Sequence, residues 1–206
     1  MIPLGVLASS YVAPAGGVTL EYLGVVTDPT GGGTSRTFSD VNFGDAATGR
    51  VIVIGVSRFS DFALSSVTIG GVAATIANQA GYNRWASIAY ATVPTGSTGS
   101  ITINAANFPG GCAVAVWRIS GAVSVVETKS GDSYSITGDS NGCIVCCGAS
   151  EKPNGFSWTN ATKRSDGEIG YVAYTAADAV ADGATNISWN KTAGNRANVA
   201  VSFAPA

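Results

Sequence analysis

The chain contains no histidine. Ser-His-Asp triads and Cys-His dyads are therefore excluded, and with them the commonest general base and the commonest zinc ligand. Charge is nearly as scarce: 11 Lys and Arg against 13 Asp and Glu make up 12 % of 206 residues and leave a net charge of −2. No run of basic residues appears, so the electrostatic footprint of a protein that grips nucleic acid through its phosphates is missing. Weak self-repulsion, on the other hand, suits close packing of copies. No stretch reaches the roughly 18 consecutive apolar residues of a membrane helix, so membrane insertion is not expected. Nor is there an i, i+3, i+4 stripe of helical length, or an internal repeat.

What is present is apolar and rich in turn residues. The apolar set makes up 46 % of the chain, enough to build a core. The 27 glycines follow no Gly-X-Y period and fall between β-rich runs, where tight turns need them. From residue 18 onward roughly fifteen short runs alternate with Gly, Asn and Pro, two or three more than one fold needs. Among them are 133–136, 142–149, 156–162, 167–175 and 185–190, while 178–183 has the composition of a short helical turn. This spacing predicts an all-β chain, an antiparallel β-sandwich or jelly roll with an extended N-terminal arm. Three runs are apolar at every position: Val51 to Ile54, Val114 to Trp117 and Ile144 to Cys147. Strands of that kind need cover on both faces and are expected at the centre.

The expected organisation is an arm and linker over 1–17 and a β-sandwich over 18–206. The first ten residues are apolar but have no basic start and are broken by Pro3 and Gly5, a poor match to a signal peptide. They read instead as an assembly arm, with Ile2, Leu4, Val6 and Leu7 as its contact residues. Tyr11 to Gly17, with Pro14 and a Gly pair, reads as the linker.

The four cysteines are Cys112, Cys143, Cys146 and Cys147. Their spacing lacks the paired ligands of a structural zinc module. Two readings remain open: small buried thiols, or a disulfide from Cys112 to Cys143 or Cys147. Cys146 and Cys147 are adjacent on one strand and face opposite ways, which sets them apart from each other.

Chemistry leaves few other candidates. A glycosidase needs two carboxyl groups about 5 to 9.5 Å apart. Asp166 and Glu168 share a strand face, with Asp132, Asp139 and Glu151 in nearby loops, but solvated turn acids look the same in sequence. The glycine-rich loop Gly31 to Gly33 precedes neither a P-loop lysine nor a helix. Asp139 to Gly142 and the acids of 178–182 carry oxygen at short spacing without completing a calcium loop. Asn160, Asn186 and Asn190 begin Asn-x-Ser/Thr acceptors, ordinary in so Ser/Thr/Asn-rich a chain. No cofactor is expected and the chain is read as a non-enzyme. Aromatic residues supply the one binding signal: Tyr82, Trp85, Phe156, Trp158 and Trp189, with Tyr171 and Tyr174, fall in or beside loops. Such rings stack on sugars, and Asn83 or Asn160 would bond hydroxyls.

Met1 to Ser10 followed by Tyr11-Val-Ala-Pro-Ala-Gly-Gly17 resembles the amino termini of bacteriophage virion proteins in which a Pro-Leu-Gly-type leader precedes unrelated globular modules. Ser66-Val-Thr-Ile-Gly-Gly-Val-Ala-Ala-Thr75, Val93-Pro-Thr-Gly-Ser-Thr-Gly-Ser-Ile101 and Val116-Trp-Arg-Ile-Ser-Gly-Ala122 look like a β-domain of phage and prophage structural or tail-associated proteins. The resemblance implies a virion component, in capsid decoration or in a head, neck or tail appendage, held by its arm. Its implied partners are other virion proteins and copies of itself. The alternative is a module that reads host-surface carbohydrate or a receptor. No active site comes with the resemblance.

Overall fold

The computed structural model describes residues 10–11, 17–121, 123–131, 133–152, 155–190 and 195–206. The assembly-arm residues Ile2, Leu4, Val6 and Leu7 lie outside them. Described residues form only strands and turns, every strand pair being antiparallel. In chain order the strands are β1 (Ser10–Tyr11), β2 (Thr19–Asp28), β3 (Ser35–Asn42), β4 (Val51–Phe59), β5 (Leu64–Ile69), β6 (Val72–Ala73), β7 (Thr75–Tyr82) and β8 (Arg84–Thr92). They continue as β9 (Thr98–Ala105), β10 (Cys112–Ser120), β11 (Val123–Ser130), β12 (Ser133–Ser150), β13 (Ser157–Thr159), β14 (Thr162–Ile169), β15 (Val172–Asn190) and β16 (Arg196–Pro205).

The expected all-β sandwich is present, with three sheets stacked in layers. The central sheet runs β1-β2-β10-β4-β8-β7, one outer sheet runs β3-β9-β5-β6, and the other runs β11-β16-β12-β15-β13 with β14 also on β15. The all-apolar strands explain the layering. Along β4 and β10, Ile52, Ile54, Val56, Val114 and Val116 face the small sheet, where they meet Phe38, Val67, Ile69, Ile101 and Ile103. The residues between them, Val51, Val53, Ala115, Trp117 and Ile119, face the large sheet and meet Val145, Cys147, Val199, Val201 and Phe203. Alternating side chains thus fill two cores, and both strands are covered on both sides. Gly55 marks a tight point between the layers: a Cβ there would lie 3.0 Å from Cys147 Cβ and 3.2 Å from a ring carbon of Trp117.

The large sheet departs most from the sequence reading. Runs 133–136 and 142–149 are one 18-residue strand, β12, and 185–190 is the far end of the 19-residue β15. Their register shifts between Gly138 and Gly142, with Asn141 (φ 69°) and Gly183 (φ 75°) at the bend. Polar turn-type residues here make a bulge instead of ending the strand. Beyond it the ribbon folds over the outer face of its own sheet. Tyr134, Ile136 and Ile187 bury Ile144, Cys146, Ala177 and Ala200, and Ser202 Oγ donates to Thr137 O at 2.7 Å. The helical turn read at 178–183 is strand, part of β15. Run 167–175 is in fact a hairpin, with β14 ending at Ile169 and β15 starting at Val172.

Candidate functional site

One end of the stack, here the aromatic pole, gathers the exposed rings. Strand β4 ends there at Phe59, opposite Arg84 on β8, and Tyr82 on β7 also pairs with Arg84. The tip of the β14–β15 hairpin arrives from the large sheet and places Tyr171 edge-on to Phe59, ring centroids 5.9 Å apart. Gly170 permits this approach: it has φ +52°, and a Cβ would sit 2.9 Å from Gly111 N of the β9–β10 loop. Only glycine meets both demands without strain. Phe62 projects from the β4–β5 loop, whose Ser60 Oγ binds the carbonyls of Phe62 and Asn107. Three rings are largely in solvent: Tyr82 at 74 %, Tyr171 at 67 % and Phe62 at 47 % exposure.

Phe59 joins the pole together. Its ring receives the Arg84 guanidinium at 4.3 Å on top of the Tyr171 contact. Beneath lies Arg58, fully buried, with its guanidinium 5.6 Å from the Trp85 ring and bonds to Ser87 Oγ and Phe62 O, both 2.9 Å. Burial away from any carboxylate lowers the Arg58 pKa to about 10.

The structure redistributes the expected site residues. Tyr82 is a surface ring as read, and Trp85 is half-buried beneath the same pole. Phe156 and Trp189 are buried, stacked at 5.3 Å with planes 10° apart, and Trp158 tilts against Trp189 at 5.9 Å. They form a small core on the outer face of the large sheet with Ala173, and Trp158 Nε1 donates to Thr175 Oγ1 at 2.9 Å. Burial and mutual stacking leave Phe156 and Trp189 no free face for a sugar, which corrects that part of the reading. Phe62 was missed because one Phe between Asp61 and Ala63 carries no pattern.

Of the two readings of the cysteines, the structure has the buried thiols and not the disulfide. All four cysteines are free and buried. Cys112 lies in the core between the central and small sheets, whereas Cys143 and Cys147 lie in the core between the central and large sheets. The central sheet stands between the two sets. Cys146 faces the third core, opposite to its neighbour Cys147. Burial pushes the Cys112 thiol up to about 12 and Cys147 to about 11.

Comparison with protein families, curated proteins and solved structures returned no match to this chain.

The acids are engaged elsewhere. Asp178, 3 % exposed, takes a bidentate grip from Arg164, Nε to Oδ2 and Nη2 to Oδ1, both 2.8 Å, and a bond from Trp117 Nε1, also 2.8 Å. Asp166 holds Lys163 Nζ at 2.7 Å, and Glu168 holds Lys152 Nζ at 3.4 Å. Among the described residues no cluster of three or more His, Cys, Asp or Glu is placed to hold a metal ion. At the opposite pole a shallow groove of about 460 Å³ runs past Phe43, Gly70, Val93 and Gly96. Arg50 ties together the loops beside it, donating to the carbonyls of Phe43, Gly44, Val93, Thr95 and Gly96 over 2.7 to 3.3 Å. Those bonds hold the loops together and leave no donor for a ligand.

Proposed function

We propose that this chain is a non-enzymatic structural component of a bacteriophage virion, in capsid decoration or in a head, neck or tail appendage, attached by its N-terminal arm. The resemblance of the leader and of the β segments suggests the setting. One structural observation supports the polarity. The first residues of β2 lie at the Arg50 pole, where Val18 N donates to Asn141 O at 3.0 Å, and Phe62, Tyr82 and Tyr171 lie at the other. Strand β2 has 10 residues, roughly 33 Å at strand rise, and separates the two. Val18 thus opens the stack at one pole and the rings are displayed at the other, while β1 lies back along β2 in the half nearer Arg50, Ser10 opposite Glu21 and Tyr11 opposite Leu20. An apolar arm of this kind gains its burial only on docking.

Deletion of residues 1–16 tests the reading. The expected result is loss of incorporation into particles while circular dichroism still reports a β fold. Particles that retain the truncated protein at the normal level would overturn it. A second reading, a module that recognises a host-surface glycan or receptor, is favoured by the exposed rings of the aromatic pole. Copy number per particle separates the two: hundreds fit decoration, a handful fits an adhesin.

A further inference from the structure

The aromatic pole has an excess of hydrogen-bond donors under its rings. Arg58 and Trp85 are cross-strand partners, and Phe59 and Arg84 are the next pair along. In this patch Arg58 Nε, Arg84 Nε and Trp85 Nε1 have no acceptor among the described residues. Arg84 is only 9 % exposed, and its single hydrogen bond among the described residues is from Nη1 to the adjacent Asn83 O at 3.0 Å. Unlike Arg36, Arg118 and Arg164, neither Arg58 nor Arg84 is held by a carboxylate among the described residues. Glu151 and Asp61 act on Arg84 only through space, and the Glu151 carboxylate accepts from Asn195 Nδ2 at 2.9 Å.

Buried donors without acceptors and cations without counter-charges each cost stability. Those three atoms are sealed from the surface, but Arg84 Nη2, without a hydrogen bond among the described residues, is not, so an outside acceptor can reach the cluster there. Arg58 is fully buried with both Nη atoms engaged, so Arg84 is the guanidinium a ligand can meet, and the acceptor that fits it is a carboxylate. The rings overhead fix the rest of the ligand. Tyr82 and Tyr171 offer a flat apolar face with a hydroxyl at the rim, the surface on which a pyranose lays its C–H face. Asp61 and Glu151 act on Arg84 through space and offset its charge, which disfavours a closely charged polyphosphate chain more than a saccharide with isolated carboxylates.

We infer that the aromatic pole binds an acidic glycan, a saccharide bearing ring carboxylates, with Tyr82 and Tyr171 stacking on its sugars and Arg84 receiving a carboxylate. The inference rests on the reading of this pole as the displayed end of the module. It makes Tyr82, Tyr171 and Arg84 the specificity residues and assigns no role to Phe156, Trp158 or Trp189.

The test uses the full chain, an array of sialylated and uronic-acid oligosaccharides, and titration of oligogalacturonate against its methyl ester, which keeps the ring and removes the charge. Expected are saturable binding to acidic saccharides on the array and in the titration, at least tenfold weaker binding of the ester, and a loss of tenfold or more in Tyr82→Ala and Tyr171→Ala. Both rings are exposed, so these variants keep the wild-type fold and melting temperature. Arg84→Gln is expected to erase the preference for acid over ester while leaving residual stacking. Absence of saturable binding to every acidic saccharide overturns the inference, as does equal affinity for the ester, indifference to both tyrosine variants, or equal binding of an oligonucleotide. Each of these failures leaves the incorporation result of the 1–16 deletion untouched, so it separates this inference from the virion reading.

Discussion

Trp117 Nε1 and Asp178 Oδ2 lie 2.8 Å apart, and the bond between them ties the central sheet to the large sheet. Trp117 is the bulkiest fully buried side chain, and Asp178 is the buried acid that also holds Arg164. The Tyr22 ring closes the cluster, edge-on to Trp117 at 5.5 Å.

Removing the acid from this cluster should be costly. Asp178→Ala strands the Arg164 guanidinium and the Trp117 N–H, and an expected loss of about 3 to 5 kcal/mol follows from breaking a buried pair on one side. Asp178→Asn keeps an acceptor and should lose less. Trp117→Phe removes one donor and some volume, for about 1 to 2 kcal/mol. Urea denaturation of the three variants checks the order.

Gly55 is expected to resist enlargement. An alanine Cβ would press on Cys147 and Trp117 where two sheets leave no slack. Overpacking of about 1 to 3 kcal/mol outweighs the roughly 0.5 to 1 kcal/mol by which alanine restricts the unfolded chain. A lower urea midpoint for Gly55→Ala at unchanged m-value is the expected reading.

The thiols should be inert in the fold and should set its alkaline limit. Titration with a thiol reagent at pH 8 is expected to find none of the 4 cysteines in native protein and all of them in guanidinium, with no effect of reductant on the melting temperature. Burial raises Cys112 to about 12 and Cys147 to about 11 from an ordinary value of 9.0. The folded state therefore holds those protons longer than the unfolded one. Their stabilising contribution is complete below pH 9 and falls away as pH rises towards 11 to 12. Arg58 opposes this, since its lowered pKa of about 10 favours the folded state above that pH. Cys112→Val should flatten the decline in denaturant midpoint between pH 9 and 11.

Arg50 should govern the pole opposite the rings. Arg50→Met leaves five loop carbonyls without their shared donor, and an expected loss of roughly 2 to 4 kcal/mol reflects the charge-assisted bonds removed. Hydrogen exchange should accelerate in 43–49 and 93–97 while the β14–β15 hairpin is unchanged. Lysine should rescue little, because one ammonium cannot span carbonyls that a guanidinium fork reaches from three nitrogens.

Strands buried on both faces were the most legible part of the sequence. Val51 to Ile54, Val114 to Trp117 and Ile144 to Cys147 have no polar position to turn outward, and each is central in its sheet. Glycine was harder to interpret. Gly170 stands in an apolar alternation, Ile169, Tyr171, Val172, and a lone glycine is compatible with a strand or with a hairpin tip. What makes it a tip is the close approach of Gly111, a contact between residues far apart in sequence. Gly138 to Gly142 misled in the opposite direction, as a bulge and a turn use the same residues. Asp178 read as the start of a short helical turn, although Ala176, Ala177, Ala179 and Val180 around it already spelled a half-buried strand. Its partners Arg164 and Trp117 come from other strands, and no local pattern announces them.

The strand order of the central sheet also sets a timetable. Strand β2 has β10 as its long-range neighbour, with Tyr22 opposite Trp117, and β4 lies on the other side of β10. At roughly 5 to 20 residues per second of synthesis, β2 waits on the order of ten seconds for β10 to leave the ribosome, and β4 and β8 wait with a face uncovered. Pairings so distant in sequence are slow to form. The ribbon of β12 and β15, made after the central sheet and followed by β16, can pair within itself and close over a sheet assembled just before it. A nascent chain halted short of residue 120 exposes the stickiest surface in the molecule, so pauses in translation upstream of that point carry the greatest danger of aggregation.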